Sequence, residues 1–195
     1  MPRFFLTVFC FAYSTIAFSQ KSDFLNEYKQ LIESVQSGSW ITSEKICKKL
    51  IDFCEPIDSM QHEAKVLRYI YIYSTAGLLN ENKLTQKEAL AQVKNMIGKE
   101  MIMPAHPFKS NCYVNCSHLS ENDKNTFFTS SNNENGTQIF AFEYVKIKDG
   151  IKETVEELEG KFIITMGTLN EVTVEGQLLP RFKLLFTNGQ YLIKD

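Results

Sequence analysis

Three histidines, one tryptophan and five prolines are all that the 195 residues contain of these types, and the shortages narrow the chemistry. With so few imidazoles, a helical zinc site of the H-E-x-x-H kind is out of reach. His62-Glu63-Ala64-Lys65-Val66 begins that pattern, but Val66 stands where the second ligand belongs; His62 reads as a solvated or capping residue. No G-x-S-x-G, no P-loop and no G-x-G-x-x-G occurs, so nucleophile-elbow, nucleotide and dinucleotide chemistry have no local signature. A basic stripe is missing as well. Lysines are interleaved with Glu and Asp at a formal net charge of −2, which offers nucleic acid no footprint. After the first residues, no charge-free apolar run reaches the roughly 18 residues of a membrane-spanning helix.

The apolar run that does exist lies at the start. Met1-Pro2-Arg3 carries one side-chain positive charge, Phe4 to Phe18 are almost wholly apolar, and Ala17-Phe18-Ser19 places small residues two apart. These are the three regions of a secretory signal peptide, with cleavage expected before Gln20. Removing residues 1–19 leaves 176 residues with 20 basic and 23 acidic side chains, enough for one good core or two small ones. The expectation is an exported protein, periplasmic or secreted, with no integral membrane segment after cleavage.

Two textures follow. From about Ser22 to Met103 apolar residues recur at three and four, the helical spacing. Phe24, Leu25, Tyr28, Leu31, Ile32 and Val35 form one stripe, closed by Gly38; Ile46, Cys47, Leu50, Ile51 and Cys54 form a second, closed by Pro56. A third helix is expected from Asp58, with Gln61 as its capping-box partner, to about Leu79. Val66 to Tyr73 is apolar nearly all round, as in a buried central helix. Thr85 and Glu88 make another capping box. Trp40, at a helix start, is expected to be structural and to close the seam between two helices.

From Phe108 onward the runs are short and rich in Val, Ile, Phe, Tyr and Thr, the texture of strands. Asn188-Gly189 is the strongest hairpin signal and Asn135-Gly136 a second. Residues 151–158 are expected to form a helical turn or two, with a strand from Lys161 to Leu169. The polar stretch from Ser117 to Asn135 reads as solvated and mobile around a short strand, Thr126 to Thr129. The fold class expected is α+β: a helical domain over residues 20–103, then a β-rich domain over 104–195. The latter is mainly antiparallel, with an element order that admits an OB-like or other small barrel.

Gly38-Ser39-Trp40 through Pro56 resembles the turn and second helix of a tetratricopeptide repeat. Ser43 takes the small position, Cys47 and Leu50 the packing positions, and Pro56 ends the unit one residue later than in the repeat. Ala89, Val93 and Met96 form a looser echo. The resemblance covers at most residues 22–103 and implies binding of a protein or peptide.

One cluster carries candidate chemistry. Met96, Met101, Met103, His106, Cys112, Cys116 and His118 fall within 23 positions, and thioether, thiolate and imidazole suit copper or zinc. Cys112-x3-Cys116 resembles the cysteine pair of copper-handling envelope proteins, but Ser117 and Ser120 stand where those patterns want Pro or His. Metal ligation by Cys112, Cys116, His118 and His106 is therefore the alternative, and disulfide bonding the first reading. Cys47 and Cys54 on one helix would lie about 10.5 Å apart along its axis, too far to bond each other. Cys112 and Cys116 in one straight strand would be about 13 Å apart and need a turn between them. A local Cys112–Cys116 bridge ranks first. Two bonds stapling Cys47 and Cys54 to that pair rank second, and free thiols third. Asn115-Cys116-Ser117 and Asn135-Gly136-Thr137 also fit the glycosylation sequon.

These observations lead to an expected exported, non-enzymatic protein that binds a protein, peptide or envelope component and needs no cofactor. A copper- or thiol-handling factor, or an inhibitor or immunity protein against an exported enzyme, are the alternatives.

Overall fold

A computed structural model of the chain describes residues 23–112, 114–133, 136 and 138–194. The expected signal peptide lies outside these residues, as do Asn135 and Thr137 of the second sequon.

Helix α1 spans residues 23–36 and α2 Trp40–Cys54; α3 is Gln61–Asn80 and α4 Gln86–Val93. Gly38 ends α1 at φ +68°, a conformation open to glycine, and its N–H donates to Val35 O. The first three helices run antiparallel in turn. Phe24 packs on Phe53 and Glu27 pairs with Lys49, while Ser43 bonds Ser74 and Cys47 bonds the Leu67 carbonyl. The capping box of Thr85 and Glu88 forms. The one expected at Asp58 does not: a 3₁₀ turn, Asp58–Met60, precedes α3, and Gln61 reaches back with its side-chain amide to the Glu55 and Ile57 carbonyls. Among the described residues no helix is long and apolar enough to cross a membrane.

The strands are β1 (Glu100–Ile102), β2 (His106–Pro107), β3 (Ser117–Ser120), β4 (Asp123–Asn132), β5 (Ile139–Ile147), β6 (Phe162–Glu175) and β7 (Arg181–Lys194). A short helix α5, Val155–Leu158, precedes β6. They form one sheet in the order β1-β6-β7-β5-β4-β3, with β2 also on β6. Among the described strands, β5 and β7 alone pair in parallel. The α+β class is as expected, but the sheet does not close into a barrel. Four strands separate its edges, β1 and β3, and α3 packs across the face that closure would turn inward, touching β1, β5 and β7.

Two expectations are corrected here. Asn188-Gly189 is not a hairpin turn: β7 runs straight through it. Thr187 pairs with Thr168 and Gln190 with Met166, so Asn188 and Gly189 stand opposite Gly167 alone as a bulge. The positive φ that Asn-Gly supplies, +52° at Asn188, serves a bulge as well as a turn. Gly189 is also required because β5 passes close by; a Cβ there would sit 2.6 Å from the Lys146 carbonyl. The turn itself is residues 176–180, with Gly176 at φ +84° and Leu178 at its tip 94% exposed. The Ser117–Asn135 stretch is not a solvated loop either. It supplies β3 and β4, and Thr129, Ser130 and Ser131 are buried. Gly136 lies between β4 and β5 and donates to the Asn133 carbonyl.

One hydrophobic core runs through both halves. Trp40 is its joint, as expected of a structural residue. Its indole meets Tyr73 of α3 and Phe140 of β5 edge to face at 5.5 and 5.2 Å, and its N–H donates to Glu81 at 3.1 Å. It lies flat against Gly77, where a Cβ would come within 2.4 Å of the ring.

Candidate functional site

The cysteine pair that motivated the metal alternative is tied up. Cys112 and Cys116 form a disulfide with their Cα atoms 6.2 Å apart. The turn that this needed is made at Asn115, held at φ +55°, a conformation asparagine tolerates better than most residues. Cys47 and Cys54 are unpaired and buried in α2, so the two-rung staple between the halves does not form. Cys47 faces α3 instead, its thiol donating to the Leu67 carbonyl. Burial raises both thiols well above the ordinary range, Cys54 to about 11.

The remaining members of the cluster disperse. Met96, Met101 and Met103 are core side chains. The His118 ring of β3 packs against Phe128 at 4.7 Å, tilted by 45°, and its Nδ1 lies 2.8 Å from the Leu119 carbonyl. His106 sits on β2, its ring bonded to the Asn115 backbone, and burial holds it below the usual imidazole range. Among the described residues no three His, Cys, Asp or Glu side chains converge as a metal site would require.

What the fold does assemble is a half-open cavity of about 500 Å³ between α1, α3 and the sheet. Ile32 and Val35 of α1 face Val66 and Ile70 of α3 across it, and Ile102 and Ile164 complete the apolar wall. Polar residues line it as well: Tyr69, Tyr73, Ser131, Asn132, His106 and Asn115. Its size and largely apolar lining with a few placed polar groups are those of a small-molecule site.

Behind Tyr69 and Ser131 lies an acid that the sequence reading missed. Glu143 of β5 is 1% exposed. Tyr69 donates to its Oε1 at 2.7 Å, Ser131 donates to the same oxygen, and the two hydroxyls are 2.8 Å apart. Burial pushes the carboxyl up to about 7, against the pull of the two donors. Tyr69 is in turn held well above its ordinary value, by burial first and by Glu143 next. The signal was there in strand alternation: Ala141, Glu143, Val145 and Ile147 share one face of β5, and the other three are apolar and buried.

The chain matches no known family model, no curated protein and no solved structure. Geometry and chemistry alone therefore bear on its function.

Proposed function

We propose that the protein is exported and works by holding a ligand in the cavity between α1, α3 and the sheet. The observation that carries this is the cavity itself, lined mainly by apolar side chains with a few polar ones among them. Its hydroxyls are engaged within the protein, Tyr69 and Ser131 by Glu143 and Tyr73 by the Asn132 carbonyl. The apolar start of the chain and the Cys112–Cys116 disulfide both suit an oxidising compartment.

Recovery from the native compartment without reductant, followed by native mass spectrometry, tests the proposal. The expected species is residues 20–195 carrying one small molecule that leaves on denaturation. A stoichiometric protein partner would move the reading to an interaction or inhibitor protein of the kind the repeat resemblance implies. One copper or zinc per chain would move it to metal handling, and an empty chain would refute it.

A further inference from the structure

Helix α3 forms one wall of the cavity through Val66, Tyr69, Ile70 and Tyr73. Tyr69 and Tyr73 stand one turn apart, and their hydroxyls tie that wall to the sheet. Tyr73 donates to the Asn132 carbonyl of β4, and Tyr69, beside Ser131, donates to Glu143 of β5. Of these acceptors Glu143 alone can change its charge. The clasp between α3 and the sheet therefore closes on an ionisable group.

Its surroundings suit the neutral acid. The residues opposite it are Thr129 on β4 and Leu184 on β7; from α3 come Tyr69 and, next to that, Tyr73. Arg181 and Lys183 of β7 lie over Phe142 and Tyr144, which alternate with Glu143 and so face the other side of the sheet. Ionised, Glu143 is a buried charge with two hydroxyl donors and no countercharge, and burial outweighs those donors. Lifting α3 off the sheet gives the carboxylate water and removes a wall of the cavity in one movement.

We propose that Glu143 is a pH-sensitive latch: protonated, it holds α3 against the sheet and the cavity in its binding shape; ionised, it lets α3 loosen and the ligand leave. The latch rests on the binding reading above. With the carboxyl at about 7 in the latched form and at its ordinary 4.5 where water reaches it, the latched form is fully favoured below pH 4.5. It loses ground as pH rises from there, and the loss levels off above about 7. His106, the other titratable side chain of the cavity apart from the two tyrosines, works in the opposite sense, since acid burdens its buried ring with a charge.

The test uses residues 20–195 with the disulfide intact and N-phenyl-1-naphthylamine, a dye uncharged from pH 5 to pH 8, as the cavity probe. Its affinity is expected to fall by at least about tenfold between those limits. Glu143→Gln keeps an acceptor for both hydroxyls and cannot ionise, so it is expected to retain at pH 8 the affinity it has at pH 5, with His106 still in place. Tyr69→Phe removes a donor that favours the ionised form, so there the fall is expected to extend to higher pH; a merely structural tyrosine would weaken binding without moving the profile. Trp40, packed on Gly77 and Tyr73 of α3, reports on the helix without any ligand. Its fluorescence is expected to change over the same pH range in the parent and not in Glu143→Gln. A flat affinity profile in the parent, or the same fall in Glu143→Gln, overturns the latch. If the dye binds at no pH, Trp40 decides. A transition that Glu143→Gln abolishes upholds the latch and leaves the failure with the binding reading, whereas no transition overturns the latch.

Discussion

Gly77→Ala adds one methyl group to α3 in the worst place available. The new Cβ would lie 2.4 Å from Cδ2 and 2.6 Å from Cε2 of Trp40, where carbon atoms prefer about 3.5–4.0 Å. The indole must retreat by about 1 Å, yet it is held by Tyr73, Phe140 and the bond from its N–H to Glu81. Overpacking of this kind costs about 1–3 kcal/mol, and strain on the two edge-to-face pairs adds about 0.5–1.5 kcal/mol each if they are lost. Against this, alanine is favoured over glycine in a helix interior by about 1 kcal/mol. The net expectation is a loss of about 2 kcal/mol, or a Tm lower by roughly 4–8 °C for a domain of this size. Urea and thermal unfolding followed by circular dichroism measure it, with the single tryptophan as a local reporter. Combining Gly77→Ala with Trp40→Leu should cost less than the sum of the two, because the smaller side chain removes the clash. A Gly77→Ala variant at least as stable as the parent, or strictly additive costs, would refute the packing argument.

The remaining predictions concern the acid, the cysteines and the N-terminus. Glu143 holds its proton more tightly folded, at about 7, than its ordinary 4.5, so its buried neutral form is fully tolerated below about pH 4.5. Stability is then lost as pH rises from there through 7, by on the order of 3 kcal/mol at most. Glu143→Gln, whose carbonyl can still accept from Tyr69 and Ser131, should flatten that decline, and an unchanged pH profile in the variant would count against the assignment. Native protein beginning at Gln20 should show no thiol reactive toward Ellman's reagent and two after denaturation, Cys47 and Cys54, with four after reduction. Replacing both Cys112 and Cys116 by Ser should cost about 2 kcal/mol, the loop entropy of so short a ring; no loss of stability would mean the loop is held by other contacts. Intact-mass analysis of the native protein should find residues 1–19 removed, and a full-length major species would end the export proposal.

Much of the local structure could be read from neighbouring residues alone. The stripes of α1 and α2, the Thr85–Glu88 cap, the helix end at Gly38 and the change from helix to strand texture depend on residues within a few positions of one another, as the physics of capping and periodicity does. The Cys112–Cys116 bond belongs with these, since its ring closes within a single loop. Other features required the assembled molecule. Asn188-Gly189 announces a positive φ, but whether that makes a turn or a bulge depends on β6 continuing alongside for its full length. Ser130 and Ser131 look like loop residues until β5 and α3 bury them. Gly77 looks like an ordinary helical glycine until Trp40, 37 positions earlier in the chain, lies flat against it. Above all, the cavity and its acid are tertiary. Tyr69, Ser131 and Glu143 come from α3, β4 and β5, separated in sequence by up to 74 positions. Local sequence carries the backbone's preferences, whereas burial, and with it the shifted ionisation of Glu143, exists only once distant segments have excluded water from the same place.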